Sequence, residues 1–580
     1  MLKRLLQTLS ISKSGFWLIM SGSLTWSLTM IKSGIVYSYG MGFWGPNGHD
    51  GVWHIALAQG LARGSWDMPI FAGDTIRNYH IGFDLILTVL HKLTFIPIHT
   101  LYFQVLPPIL SLLIGYFAYK FVYVWTKSYT QSFWAVFFVY FGGSWGWIVT
   151  LIRNGEIGGE SLFWSQQSIS TLVNPPFALS ILFMFAGLYF LIKNIRTPQQ
   201  NSYTTRNLLL VTFLFGSLVQ IKVYAGVLIL CGLFVAGIWR MLNRRGIQLM
   251  KVFTGSLIFS ILIFSPLSES VGQTIIFRPF WFLESMVATP DRLYWPRMAS
   301  AIANYNLAGN WPKLILAYGV TLFIFWLGNL GTRILKEPLF FKHLKNFRKL
   351  SYVEVFIYTI IGIGVLIPMF FIQSGTPWNT IQFMYYSLMF SGILAGVTLG
   401  AFLEKSNTNP PRVKNSLRIR IVVVAIVLLT IPTTYGTLKY HYLPSRPPAK
   451  ISSKEIEALK FLSQQPDGIV LTLPFSKSLA DKAINDPPRP LYLYESTAYV
   501  SAFSGKSTYL EDEVNLEITG YDWKFRRNET EAFFENPSLA FLSENQIKYV
   551  YISDYYKTLG LESIGMKKIF ENKEIAIYGI

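Results

Sequence analysis

The sequence "GPNGHDGVWHIALAQG" (residues 45–60) follows an apolar segment long enough to be a first membrane span. It contains His49, Asp50 and His54, although the whole chain of 580 residues has only 7 histidines. The glycines and proline before His49 predict a turn, and Asp50 suits the N-cap of a helix that follows. His54 then lies one helical turn after Asp50, on the same face. The question is on which side of a membrane this polar loop lies.

The composition is that of a polytopic membrane protein. Hydrophobic residues make up 52% of the chain and charged residues only 14%, whereas soluble domains carry about 25% charged residues. The mean hydropathy is +0.37, and apolar runs of about 20 residues recur. The N-terminus begins like a signal peptide, but its long apolar part and missing cleavage motif predict an uncleaved first span. The single cysteine, Cys231, cannot form an intramolecular disulfide.

The net charge of +19 is distributed unevenly. Residues 1–453 carry a net charge of +24, and residues 454–580 carry −5. The basic residues cluster in short loops, which is the positive-inside pattern of cytoplasmic loops. Such loops also attract anionic lipids. The charge therefore indicates a bilayer as partner, and no nucleic acid.

Placing the basic loops in the cytoplasm predicts eleven spans, with the N-terminus cytoplasmic and the C-terminus outside the plasma membrane. Residues 207–240 are too long for one span and predict a hairpin that turns outside near Gln220–Lys222. The predicted spans lie near 16–36, 101–120, 131–152, 176–193, 207–221, 223–240, 251–268, 313–333, 352–373, 381–403 and 419–436.

The segment "HIGFDLILTVLHKLTFIP" (80–97) predicts an amphipathic helix at the membrane surface. His80, Asp84, Thr88 and His91 recur at helical spacing and form one polar stripe. A span here would place the basic loop at 120–127 outside and break the charge pattern.

The predicted fold class is a polytopic α-helical membrane protein with about eleven transmembrane helices and a small C-terminal α/β soluble domain. Its transmembrane domain covers residues 1–436, with a first outer loop at 37–100 and a long outer loop at 269–312. A Pro-rich linker, 437–450, precedes an extracytoplasmic domain at 451–580. There, "SSKEIEALKFLSQQ" predicts a helix, "GIVLTLPF", "AYVSAFSG" and "KYVYISDYY" predict strands, and the C-terminus predicts a hairpin.

The acidic residues of the predicted transmembrane domain lie mostly in the outer loops. Acids contribute little to membrane orientation, so this distribution indicates water-exposed loops or a functional site. The nine acids concerned, out of 12, are Asp50, Asp67, Asp74, Asp84, Glu156, Glu160, Glu269, Glu284 and Asp291.

The first outer loop supplies the candidate chemistry. A carboxylate at a membrane interface has a raised pKa and could act as a general base, which points to Asp50; the alternative is a helix cap. His49, Asp50 and His54 could also hold a divalent cation, although their spacing matches no specific metal motif.

Downstream, "GDTIRNYH" places Asp74, Arg77 and His80 before the amphipathic helix. They are either a solvated loop or a second wall of the site, with Arg77 recognising a phosphate or a carboxylate.

Three cations in later outer segments are candidate phosphate ligands. Lys222 lies among apolar residues, where a charge is either functional or snorkels to the interface. Arg278 and Arg292 lie among aromatic residues. Such aromatics are commonly interface anchors, but beside arginine they also suit stacking on a sugar and binding of a phosphate.

The motifs "GHDGVWHIALAQGLARG" (48–64) and "YHIGFDLILTVLHKL" (79–93), set after a first span, resemble the GT-C superfamily of polytopic glycosyltransferases. This superfamily includes the protein O-mannosyltransferases, the lipid A aminoarabinose transferases and the lipopolysaccharide-core galacturonosyltransferases. In architecture the resemblance covers residues 1–436, and some members also carry an outer C-terminal domain. Several members have two adjacent acids, where this chain has His49–Asp50.

The resemblance implies transfer of a sugar from a polyprenyl-phosphate donor to a glycan, lipid or protein acceptor on the extracytoplasmic face, with inversion. It assigns the base to Asp50 and the donor phosphate to Lys222, Arg278 and Arg292. A transporter or flippase is the first alternative, although its acids should lie within the spans. A non-catalytic membrane scaffold with an outer binding domain is the second.

Overall fold

The computed structural model describes residues 9–196, 201–268, 275–408, 413–553 and 560–580. Glu269 and the start of the predicted loop 269–312 lie outside these residues. The helices are α1 Lys13–Ser27, α2 Asp50–Ala62, α3 Gly82–Thr94, α4 Ile98–Thr126, α5 Tyr129–Phe141, α6 Gly146–Asn154, α7 Pro175–Arg196, α8 Asn201–Gly216, α9 Leu218–Ile221, α10 Val223–Leu242, α11 Gln248–Phe264, α12 Trp281–Ala288, α13 Pro296–Leu307, α14 Trp311–Leu330, α15 Glu337–Lys345, α16 Tyr352–Phe370, α17 Gln382–Thr408, α18 Val413–Thr437, α19 Ser453–Ser463, α20 Lys477–Ala483, α21 Tyr499–Ser504, α22 Glu513–Thr519, α23 Trp523–Glu535 and α24 Leu539–Glu544.

The strands are short and belong to three sheets. They are β1 Val36–Tyr37, β2 Gly40–Phe43, β3 Ile275–Phe277, β4 Phe371–Gln373, β5 Ala449–Ile451, β6 Ile469–Thr472, β7 Arg489–Pro490, β8 Ile547–Ser553, β9 Lys567–Glu571 and β10 Ile575–Gly579.

The chain divides into two compact units. The first, called the helical unit, comprises the described residues of Met1–Ser27, Pro108–Pro266 and Val271–Tyr440. The second, called the mixed unit, comprises those of Leu28–Pro107, Leu267–Ser270 and His441–Ile580. The first outer loop and the C-terminal segment, which the sequence analysis assigned to separate domains, thus belong to the same compact unit.

Within the described residues, eight helices are long and apolar enough to cross a membrane, or nine if α5 and α6, which are bent by 44°, form one span. The predicted spans at 16–36 and 207–221 coincide with α1, of 15 residues, and with a shorter apolar helix, Arg206–Ile221. At 1.5 Å of rise per residue, helices of this length fall short of a hydrocarbon core of about 30 Å.

Close packing in the helical unit depends on small residues, as is usual where helices meet in a bilayer. A Cβ atom added at Gly396 of α17 would lie 2.2 Å from the backbone nitrogen of Ala135 in α5. Arg333, which is 1% exposed, lies beside the segment that separates α5 from α6. Its guanidinium donates to the carbonyls of Gly143 and Leu330, at the ends of α5 and α14, and so satisfies C-terminal carbonyls that no helix bond reaches.

The mixed unit contains two four-stranded sheets, with strand orders β1-β2-β5-β7 and β6-β8-β10-β9. β2, from the first outer loop, pairs antiparallel with β5, from the C-terminal segment, in the register Met41 with Ile451. This pairing joins the two stretches of chain directly. The predicted helix at "SSKEIEALKFLSQQ" is confirmed as α19, and the C-terminal hairpin as β9–β10.

One strand prediction in this unit is wrong. The segment "AYVSAFSG" forms the helix α21. The buried carboxylate of Glu511 accepts hydrogen bonds from the backbone N–H groups of Val500 and Ser501, both at 3.0 Å. These N–H groups of the first turn have no partner within the helix. The hydrogen bonds from Glu511 therefore stabilise a helix here, although the residues of this segment have a strand propensity.

Candidate functional site

Asp50 is the first residue of α2, and His49 occupies the N-cap position without a capping hydrogen bond. The prediction that Asp50 caps the helix is therefore wrong. A carboxylate in the first turn is still favoured by the helix dipole. The side chain of Asp50 is 42% exposed, and its Oδ1 lies 2.9 Å from His49 Nδ1.

His49 lies between two carboxylates. Its second ring nitrogen, Nε2, lies 3.4 Å from Oδ1 of Asp512, whose side chain is fully buried. His49 itself is 8% exposed. Burial disfavours the charged ring, but the carboxylates of Asp512 and Asp50 outweigh burial and raise the pKa of His49 well above its ordinary value.

Asp512 is a site residue that the sequence analysis missed. It directly precedes α22, with φ of +47°, and its carboxylate accepts hydrogen bonds from Asn515 N at 3.2 Å and Asn515 Nδ2 at 2.8 Å. An acidic residue at a helix start, in the run "LEDE" (510–513), is a sequence signal for such a cap. Nothing in the sequence pairs it with His49.

A cavity of about 60 Å³, lined by Asp512, Glu495 and Glu511 among others, lies in the same unit. That volume accommodates a few water molecules. The pKa of Glu495 is raised, mainly by burial. The nearby His49 opposes this shift, and the carboxylates of Asp50 and Asp512 add to it. Glu495 is thus a second missed neighbour of the pair His49–Asp50.

His54, one helical turn after Asp50, is paired with a residue of α3. Its Nδ1 lies 2.8 Å from Oδ1 of Asp84, and both residues are buried. The Thr88 hydroxyl donates to the carbonyl of Ala58 at 3.1 Å. The predicted amphipathic helix is confirmed as α3, and Asp84 and Thr88 of its polar stripe contact α2. His80 lies before the helix, and the position of the helix at the membrane surface stays a prediction. Burial raises the pKa of Asp84, and His54 opposes that shift.

His49, Asp50 and His54, considered above as possible ligands of a divalent cation, do not form a ligand set among the described residues. Over the described ranges, no group of three or more His, Cys, Asp or Glu side chains could hold a metal ion. His54 is held by Asp84, which explains why it does not join the other two.

Asp74, Arg77 and His80 lie in the loop between α2 and α3 and contact other groups of the mixed unit. The Arg77 guanidinium lies 4.5 Å from the centre of the Tyr521 ring. Asp74 is 3.9 Å from Arg526, and His80 packs on the Tyr79 ring at 4.5 Å. Two of the three thus hold the loop against the C-terminal segment.

The three predicted phosphate ligands lie in the helical unit. Lys222 is 5% exposed and interrupts the helix between α9 and α10 in an extended conformation, with Nζ 5.7 Å from the Tyr224 ring. The predicted turn at Gln220–Lys222 thus coincides with a helix break. Arg292 lies 4.1 Å over the Trp164 ring. Arg278 is 61% exposed and 4.0 Å from Glu284.

A tyrosine lies near each of Lys222 and Arg292. Tyr385 lies within electrostatic range of both Arg292 and Tyr224, the residue on which Lys222 packs. The buried Nε of Arg292 has no hydrogen-bond partner within the described part of the chain. An arginine N–H that is buried and unbonded suits an incoming anion.

No family model matches the sequence, and no curated protein matches it. Solved structures do share its fold. The oligosaccharyltransferase of Archaeoglobus fulgidus, tethered to an acceptor peptide containing the NVT sequon, has a TM-score of 0.51 and 12% identity, covering 93% of this chain and 69% of its own. The same enzyme, AglB, in complex with an inhibitory peptide and a dolichol-phosphate has a TM-score of 0.50 and 11% identity, with the same coverage.

ArnT from Cupriavidus metallidurans, bound to undecaprenyl phosphate, has a TM-score of 0.45 and 9% identity, covering 98% of both chains. AglB and ArnT are polytopic GT-C membrane glycosyltransferases. The AglB structures, with TM-scores of 0.51 and 0.50, confirm the fold expected from the resemblance to the GT-C superfamily. The long apolar helices among the described residues are those of a multi-pass membrane protein.

Proposed function

We propose that this protein is a membrane glycosyltransferase. It transfers a sugar from a polyprenyl-phosphate donor to an acceptor on the extracytoplasmic face, with inversion, and Asp50 is the general base. The observation that carries the proposal is the half-exposed carboxylate of Asp50, held by a buried histidine in the first turn of α2, in a chain with the GT-C fold.

The geometry suits a base. A carboxylate must reach the acceptor to remove its proton and must keep a fixed direction. Asp50 meets the first requirement by its exposure of 42% and the second by its contact of 2.9 Å with His49. Asp84, by contrast, is fully buried and paired with His54, so it has a structural role.

The reaction then follows from elementary chemistry. Asp50 takes the proton of the acceptor hydroxyl as the oxygen attacks C1 of the sugar. The C1–O bond to the phosphate breaks, and the polyprenyl phosphate leaves with the electron pair. Because attack comes from the face opposite to the leaving group, the configuration at C1 inverts.

The phosphate is the leaving group, so cations near it lower the barrier. Lys222 and Arg292 are proposed for this role because both are largely buried and each has a tyrosine nearby, Tyr224 for Lys222 and Tyr385 for Arg292. Arg278 remains a third candidate, with weaker support, since its side chain is mostly exposed.

The outer location of the site is part of the proposal. The basic residues in short loops favour a cytoplasmic N-terminus and an extracytoplasmic mixed unit. Donor and acceptor would then meet at the outer membrane surface. The dolichol-phosphate and undecaprenyl phosphate in the AglB and ArnT structures support a polyprenyl-linked donor by fold analogy only.

The test is the substitution Asp50→Asn in full-length protein reconstituted in nanodiscs. The probe is a radiolabelled polyprenyl-phosphate sugar fraction extracted from membranes of the source cells, with an extract of the same cells as acceptor. We expect release of label from the lipid to fall by about 10²- to 10⁴-fold, the range for losing a general base. The matched control is Asp467→Asn, an 87% exposed carboxylate of the same unit, which should transfer normally. Wild-type transfer by Asp50→Asn would refute the assignment.

A further inference from the structure

We propose that Asp512 is a positioning residue for Asp50. It keeps the His49 ring doubly protonated, so that a cationic imidazolium holds the Asp50 carboxylate in place. The proposal rests on the proposed function only in naming Asp50 as the base. The arrangement of Asp512, His49 and Asp50 is called the carboxylate clamp below.

The first argument is the hydrogen-bonding inventory of imidazole. Nδ1 of His49 is hydrogen-bonded to Asp50 at 2.9 Å, and the buried Nε2 lies at ion-pair distance, 3.4 Å, from Oδ1 of Asp512 without a hydrogen bond between them. A neutral ring has one N–H donor and one lone pair. In either tautomer the nitrogen that carries the lone pair would therefore lie beside a carboxylate oxygen and be repelled by it. Only the imidazolium makes both contacts attractive.

The second argument is that solvent exposure increases along the clamp from Asp512 to Asp50. Asp512 is fully buried, His49 is nearly so, and Asp50 is 42% exposed. A buried carboxylate without a cation would be costly, whereas a buried pair with good geometry is retained. Asp512 is thus the fixed end of the clamp and Asp50 the working end.

The third argument is how firmly Asp512 is fixed. Asn515 donates hydrogen bonds to both carboxylate oxygens of Asp512. The backbone of Asp512 adopts a left-handed conformation, with φ of +47°. Such a conformation is unfavourable for a residue with a Cβ and tends to persist at functional sites. Glu495 also lies within electrostatic range of His49, and its negative charge favours the imidazolium. The phenols of Tyr79, Tyr102 and Tyr494 lie within electrostatic range of Asp50.

Removing the charge of Asp512 should therefore release the clamp. In Asp512→Asn the side chain keeps nearly the same shape, but a neutral amide faces Nε2. His49 then loses its proton at lower pH, and the hydrogen bond to Asp50 is no longer enforced. We expect kcat to fall by about 100-fold, the effect of a misplacement of roughly 1 Å, with little change in KM for the donor.

The direct test is ¹³C NMR of the seven histidines in the full-length protein in detergent micelles, with His49→Gln to identify the His49 signal. In wild type, the His49 signal should remain that of an imidazolium from pH 6 to pH 8. In Asp512→Asn it should titrate within that range, and Asp512→Glu should restore the wild-type signal. An unchanged His49 titration in Asp512→Asn would overturn the clamp.

Two controls separate the clamp from a general loss of structure. Glu455→Gln removes another buried carboxylate of the same unit that caps a helix and should leave both the His49 signal and transfer unchanged. If Asp512→Asn does not fold, Asn515→Ala loosens Asp512 without removing its charge. It should then lower kcat and shift the His49 titration part of the way; no shift would count against the proposal. If the His49 titration in Asp512→Asn is that of wild type and Asp50→Asn is inactive, the clamp alone is refuted. If Asp512→Asn shifts the His49 titration and Asp50→Asn is active, the assignment of Asp50 as the base alone is refuted.

Discussion

A single buried carboxylate of the mixed unit illustrates what burial does to a charge. Glu455 is 2% exposed and forms a capping box with Ser452 at the start of α19. Its Oε2 accepts the N–H of Ser452 at 3.2 Å. Burial raises its pKa to about 7, in spite of that hydrogen bond. The folded state therefore holds a proton that the unfolded chain releases at much lower pH.

This difference predicts a pH dependence of stability. Between an unfolded pKa of 4.5 and a folded pKa of about 7, the folded state binds the extra proton, so stability falls as pH rises through this window and levels off above it. The contribution lost is up to about 3 kcal/mol. We expect the Tm of Glu455→Gln, measured by tryptophan fluorescence, to decrease less between pH 5 and pH 7.5 than the Tm of wild type. Glu457→Gln, on the exposed face of α19, should decline as wild type does; equal slopes in all three proteins would contradict the prediction.

At the scale of elements, helix ends decide the packing of the helical unit. The C-cap of α14 is Gly331, with φ of +55°. A Cβ atom there would lie 2.0 Å from the carbonyl oxygen of Gly143. Glycine is required twice over, because the conformation is left-handed and because the backbone after α5 approaches so closely.

Gly331→Ala should therefore be strongly destabilising, by at least about 2 kcal/mol from backbone strain and contact together. The matched control is Gly319→Ala in the same helix, where an added Cβ meets nothing within 4 Å. That substitution should be neutral or should stabilise by up to about 1 kcal/mol through helix propensity. The midpoint of heat-induced loss of the monodisperse peak, by fluorescence-detected size exclusion, compares the two. Equal midpoints would show that the contact yields without cost.

At the scale of the whole molecule, the orientation in the membrane follows from charge. The basic loop at 336–350, which contains α15, is predicted to be cytoplasmic, and the C-terminal segment extracytoplasmic. The test uses single cysteines in a Cys231→Ser background, at Lys345 of α15 and at Asp467, which are both exposed.

A membrane-impermeant maleimide added to intact spheroplasts should label Asp467→Cys. Lys345→Cys should be labelled only after the membrane is permeabilised. The reverse pattern would invert the predicted topology and place Asp50 in the cytoplasm. Labelling of both cysteines in intact spheroplasts would show leakage across the membrane, which a cytoplasmic marker enzyme controls.

The sequence by itself determined the membrane class and the position of most long apolar helices, because hydropathy, helical period and charge bias are local properties of the chain. The catalytic role of the loop "GHDGVWHIALAQG" stays a prediction. The sequence also located α3 through its polar stripe. The predicted count of eleven spans exceeds the eight or nine helices among the described residues that are long enough to cross a membrane, because hydropathy does not show where a helix ends.

Only the tertiary structure decided which groups meet. It paired His54 with Asp84, and it brought Asp512 to His49 across more than 400 residues. It also turned the predicted strand "AYVSAFSG" into α21 by means of Glu511. Each of these outcomes depends on a buried carboxylate finding a donor, and a buried polar group accepts whichever partner the fold brings within reach, however distant in sequence.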